Sequence, residues 1–129
     1  MKPKLLNSLF TAGLLLALVA CNGQSPGPAV IRVALNEFTI ELDKSAVPAG
    51  LITFEIENVG ATEHELVLEP SGAYDEPFET GGKASEVEGI QPGSTVSFEW
   101  TLEPGEYQLA CYVGGHFEAG MYSSLTVTD

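Results

Sequence analysis

Near its C-terminal end the chain sets a thiol, an imidazole and a thioether at equal intervals: Cys111, His116 and Met121 stand five residues apart. A second imidazole, His64, lies far upstream. The chain has only two histidines, two cysteines and two methionines, one of them Met1, so these four side chains are most of its soft and borderline donors. Two imidazoles, a thiolate and a thioether suit an ion that alternates between oxidation states, since sulfur stabilises a soft reduced form and imidazole accepts both. Taken singly, each residue has a bland role. His64 reads as a hydrogen-bonded core or rim histidine, Cys111 as a small buried apolar side chain, Met121 as core filling and His116 as a loop residue. Their joint placement is what points to a single metal site.

Four donors so far apart converge only if strands and a loop bring them together. Gly114, Gly115 and Gly120 let the segment 111–121 fold back, so that Cys111 ends one strand and Met121 begins the next. Parity agrees: Cys111 is in step with Tyr107 and Leu109, Met121 with Leu125 and Val127, and His64 with Leu66 and Leu68. Elsewhere Ile52, Phe54 and Ile56 alternate with Thr53, Glu55 and Glu57, and Val96, Phe98, Trp100 and Leu102 with Ser97, Glu99 and Thr101. Between 31 and 42 the apolar parity changes at Asn36-Glu37, from Ile31, Val33 and Leu35 to Phe38, Ile40 and Leu42, which predicts a bulge or turn. Further strands are expected at 65–69, 106–113 and 122–128. No helical period of useful length is present, and the expectation is an all-β, antiparallel β-sandwich of about seven or eight strands. The acidic, glycine-containing segment 70–92 breaks the pattern. It is expected to be a solvated connection holding a short helical turn, or a docking surface for a basic partner.

With 129 residues the chain has room for one ordinary domain. Its 18 acidic against 5 basic side chains repel phosphate backbones, which excludes nucleic-acid binding. Lys2-Pro3-Lys4 followed by the apolar run 5–20 reads as an export signal, and Leu18-Val19-Ala20-Cys21 resembles the bacterial lipobox. Residues 1–20 are therefore expected to be a lipoprotein signal peptide. Cys21 would be the lipidated N-terminus, 21–29 a flexible tether and 30–129 the domain, held at the cell envelope by its lipid anchor alone. Cys111 is then a lone thiol in a compartment where thiols usually pair, and a metal would explain it.

Together with Asn58-Val59-Gly60 before the first histidine and Gly115-His116 in the loop, the set His64, Cys111, His116 and Met121 resembles the type 1 copper motif of the cupredoxins. The spacing is similar to that of rusticyanin, auracyanin and sulfocyanin rather than to the shorter plastocyanin loop. The resemblance implies an eight-stranded Greek-key sandwich that binds one copper ion, Cu(I)/Cu(II), through those four residues. It implies a monomer that carries one electron between redox proteins, such as a cytochrome or membrane oxidoreductase, with His116 as the electron portal. Glu65 stands where plastocyanin and azurin have an asparagine. Neither Val113 nor Gly114 is proline, so both N–H groups remain available to the Cys111 sulfur. With Asn58, these are the candidates for shaping the ligands. The acidic surface would steer a partner with a basic docking face. Two rivals are a copper delivery or sequestration lipoprotein and a metal-free structural sandwich. An enzyme is not expected: two histidines leave nothing for additional catalytic coppers or a hydrolytic zinc, and the loop of Cys111 lacks an orienting Asn or Asp for nucleophilic catalysis.

Overall fold

The computed structural model describes Met1 and residues 27–129. The expected signal peptide, Cys21 and most of the tether lie outside the described residues. In chain order the strands are β1 (Ala29–Asn36), β2 (Thr39–Leu42), β3 (Ala46–Pro48), β4 (Gly50–Asn58), β5 (His64–Pro70), β6 (Glu79–Thr80), β7 (Lys83–Ala84), β8 (Glu86–Ile90), β9 (Thr95–Leu102), β10 (Gly105–Ala110) and β11 (Tyr122–Thr128). No helix occurs among the described residues.

Period-two alternation sorts these strands into layers. One sheet has the order β2-β1-β4-β9, the other β3-β11-β10-β5-β8, and β6 and β7 form a separate hairpin. Ile31, Val33 and Leu35 of β1 and Ile52, Phe54 and Ile56 of β4 share one buried cluster with Leu66, Leu68, Leu109, Leu125 and Val127 of the second sheet. Each such side chain contributes about 1.5–3 kcal/mol on burial, so the two apolar rows drive the sheets together. Phe54 faces Phe98 across β4 and β9, their rings stacked at 4.9 Å.

The pairing is not wholly antiparallel, as the alternation alone suggested. β1 runs parallel to β4, and β3 runs parallel to β11. After the β1–β2 hairpin the chain crosses to the other sheet as β3 and re-enters the first sheet beside β1, so β4 arrives in the direction of β1 rather than reversed.

A second departure lies in 70–92, which contains no helical turn. It folds back as the β6–β7 hairpin and as β8, which pairs with β5. The Ser85 hydroxyl accepts the Phe78 N–H at 2.8 Å and donates to the Leu68 carbonyl at 2.5 Å, fastening this flap onto β5. β5 is thereby covered on both faces: Val67 and Glu69 are as buried as Leu66 and Leu68. Setting aside the three-residue β3 and the two-residue β6 and β7, eight strands remain. The parity change at 36–37 is a tight hairpin, with Glu37 and Phe38 between the paired Asn36 and Thr39.

Candidate metal centre

Because β5 and β10 are antiparallel neighbours, the first residue of β5 lies at the end of the sheet where β10 finishes. His64 opens β5 and Cys111 follows β10 directly, so two donors 47 residues apart in sequence meet at one edge of the core. Both are fully buried. The loop that follows brings in the third. His116 donates its N–H to the Val113 carbonyl at 2.8 Å, and the His116 carbonyl accepts from Ala119 at 3.2 Å and Met121 at 3.0 Å. The Cys111 N–H closes the loop on the Met121 carbonyl at 3.1 Å. Gly115 and Gly120, at φ 80° and 96°, supply the left-handed turns that this path requires.

Three donor atoms converge. His64 Nδ1 lies 3.3 Å from His116 Nδ1, and the Cys111 sulfur lies 3.9 Å from the first and 3.5 Å from the second. The point equidistant from the corners of that triangle is about 2.1 Å from each, the length of a transition-metal bond to nitrogen and slightly short of one to thiolate sulfur. The residues present therefore fit one metal ion held trigonally by two nitrogens and a sulfur. Met121 is fully buried in the same cluster as Cys111, and its backbone is bonded to both Cys111 and His116. His116 is only half-buried, the one donor of the triangle with an open edge.

The protonation states suit a metal that arrives from solution. Burial pushes the Cys111 thiol up, opposed by the backbone N–H groups of Glu65 and Val113 directed at the sulfur. The thiol thus holds its proton until a cation displaces it. Burial, reinforced by His116, holds His64 below the usual imidazole range, so it is neutral and its lone pair is available.

The surrounding residues are placed as follows. Asn58 is fully buried: its Oδ1 accepts the Gly60 N–H at 2.9 Å, and its Nδ2 donates to the Thr62 and Ile90 carbonyls, each at 2.8 Å. It braces the loop that leads into His64. Glu65 turns towards the ligand loop and accepts the Tyr112 N–H at 2.7 Å, while burial raises its carboxyl. Val113 packs on the core and Gly114 is exposed. Tyr112 stacks on Phe117 at 4.8 Å, within a cluster that includes Tyr74 and Tyr122. The Tyr112 hydroxyl donates to Glu69, a fully buried carboxylate that also accepts from Gln108 Nε2 and the Glu76 N–H.

Three residues at this end were not singled out from the sequence. Glu69 carried no signal, because its burial comes from the 70–92 flap. Glu37 and Phe38 sit in the β1–β2 turn that the parity change marks, and both reach the histidines.

Residues 9–121 match the family model described as a cupredoxin-like domain. Among solved structures, sodium-dithionite-reduced auracyanin of Roseiflexus castenholzii is 23% identical, with a TM-score of 0.62 over 78% of this chain and 98% of its own. Auracyanin A, a "blue" copper protein of Chloroflexus aurantiacus, is 22% identical, with a TM-score of 0.60 over 79% of this chain and 100% of its own. Reduced rusticyanin is 17% identical, with a TM-score of 0.57 over 83% of this chain and 89% of its own. Likeness at these identities establishes the fold. None of the curated proteins matches the chain.

Proposed function

The chain belongs to the cupredoxin-like family, and from that premise we propose that it is a type 1 copper electron-transfer protein, binding one copper ion through His64, Cys111, His116 and Met121. The observation that carries this reading is the triangle of two Nδ1 atoms and one sulfur, with a buried thioether stitched to it through the backbone. A copper ion bound there supplies a one-electron Cu(I)/Cu(II) couple.

The protein's own residues do the rest. His64 and Cys111 are buried at the ends of paired strands, so their geometry stays fixed between oxidation states and little reorganisation accompanies transfer. Met121 would add its thioether to the ion from a position buried away from water. His116 is the portal, since its half-exposed ring is the short route from the donor set to a docked partner. The exposed carboxylates of Asp75, Glu76, Glu79, Glu88 and Glu118 favour partners with a basic face, such as a cytochrome. The apolar run 5–20 and Cys21 support export and a lipid anchor at the cell envelope. With only two histidines, both in this one site, the chain has no imidazole left for a second, catalytic copper, and its role is transfer rather than turnover.

Stopped-flow oxidation of the dithionite-reduced, copper-loaded protein by a basic cytochrome tests the reading. The expected result is a bimolecular rate that falls as ionic strength rises and drops sharply when His116 is replaced by Gly. A rate unaffected by salt would remove the acidic steering, and no transfer at all would remove the function. Rapid loss of copper to a chelator would favour copper delivery instead.

A further inference from the structure

We propose that the two-residue β1–β2 turn, Glu37-Phe38, positions both imidazoles of the centre, the Glu37 carboxylate taking the Nε2–H of His64 when metal binds and the Phe38 ring bracing His116. This rests on the copper reading above and names residues that reading does not use.

The first observation is an unpartnered atom. His64 directs Nδ1 at the sulfur and at His116, so a neutral ring bound to metal through Nδ1 must carry its proton on Nε2. That Nε2 is buried and has no hydrogen-bond partner. Glu37 Oε1 lies 3.9 Å away. A carboxylate is acceptor-only, so it selects the tautomer with hydrogen on Nε2 and leaves Nδ1 for the metal. Closing the gap takes a side-chain movement of about 1 Å. The hydrogen bonds Glu37 accepts from the 61–62 loop also fall on Oε1, and the longest of them, from the Thr62 hydroxyl at 3.3 Å, is the one to yield.

The second observation is how Glu37 is held. Its Oε1 accepts the Ala61 N–H at 2.6 Å, the Thr62 N–H at 3.0 Å and the Thr62 hydroxyl at 3.3 Å, all in the loop that enters His64. Gly60 makes room for this approach. A Cβ there would stand 2.7 Å from Glu37 Oε1 and 3.0 Å from His64 Nε2, so the carboxylate would have to shift and the imidazole to give by a few tenths of an ångström. The lack of a side chain at residue 60 thus lets carboxylate and imidazole face each other.

The third observation is strain. Two-residue hairpins favour Asn or Gly where φ is positive, yet Phe38 sits at φ 63° with a ring half exposed to water. A bulky side chain in that conformation is unfavourable and persists where the surroundings use it. Here the ring meets that of His116 in a T-shaped pair, centroids 5.6 Å apart at 88°. One short turn therefore touches the strand-borne imidazole with its first residue and the loop-borne imidazole with its second.

The test uses the full protein and its Glu37→Ala, Glu37→Gln and Phe38→Gly variants. In Cu(I)-loaded wild type, nitrogen-detected imidazole NMR should give His64 an Nε2–H that exchanges slowly with water. Glu37→Ala should abolish that signal and weaken copper binding about 10- to 100-fold. Glu37→Gln keeps one carbonyl oxygen in the place of Oε1 as acceptor, so it should keep the signal while raising the reduction potential, because a negative charge that favours Cu(II) is gone. Phe38→Gly should broaden the His116 ring resonances and leave those of His64 in place. If Glu37→Ala fails to fold, the Gln variant decides: an unchanged potential overturns the role of Glu37. A retained His64 signal and unchanged affinity in Glu37→Ala overturn it also. Wild type that binds no copper takes the proposed function down with it, whereas a normal centre indifferent to residues 37 and 38 removes this inference alone.

Discussion

His64 and His116 present the same ring atom to the same sulfur, at 3.9 and 3.5 Å, yet the chain fixes them by opposite means. His64 is the first residue of a strand covered on both faces, and its neighbours Leu66 and Leu68 anchor it in the core. His116 hangs on an irregular loop whose shape is set by backbone hydrogen bonds and two left-handed glycines, and its ring is half-exposed. The strand side supplies rigidity and the loop side supplies access. The electron-transfer site proposed above would need both, and an imidazole on each side would let one ion use both.

That contrast can be broken most forcefully at the ligands. Replacing either histidine with Gly should abolish the copper chromophore. Millimolar imidazole should restore it in His116→Gly, where the cavity opens to water, and not in His64→Gly, where it is buried; equal rescue of both would erase the distinction. Next in size, Leu66→Ala should lower stability by about 2–5 kcal/mol in denaturant melts, since it empties core space beside the strand-borne ligand. Glu65→Ala strips the ligand loop of its tie to β5 by orphaning the Tyr112 N–H. A loss of about 1–3 kcal/mol is expected, with much of it recovered in Glu65→Gln. A melt unchanged from wild type would show that this tie holds nothing. The smallest effect should come at the strained turn. Phe38→Gly removes a whole aromatic ring, yet relief of the left-handed backbone should leave stability within about 1 kcal/mol of wild type, as read by thermal unfolding.

The strand side was also the legible side. Alternation placed β4, β9 and β11 closely, and parity put His64, Cys111 and Met121 on the inward rows. The scarcity of His, Cys and Met singled out four candidates, and the fold brings donor atoms of three of them, His64, Cys111 and His116, together. What stayed hidden depended on contacts between distant segments. The parallel pairing of β1 with β4 comes from the crossing through β3, which no local pattern encodes. The burial of Glu69 comes from the 70–92 flap, and two acids flanking Leu66-Val67-Leu68 read as a wet face. Glu37 and Phe38 announced themselves as a break in parity. Their reach to the histidines follows only from the folding of that hairpin over the 60–62 loop and the ligand loop.

The central claim is that Cys111, with two imidazoles, binds one cupric ion as a thiolate. Adding one equivalent of Cu(II) to the purified protein and to its Cys111→Ser variant, and recording both visible spectra, tests it directly. The wild type should develop an intense blue or green thiolate-to-copper absorption that dithionite bleaches, and the serine variant should show none. A colourless wild type, or colour that survives the loss of the thiol, would contradict it.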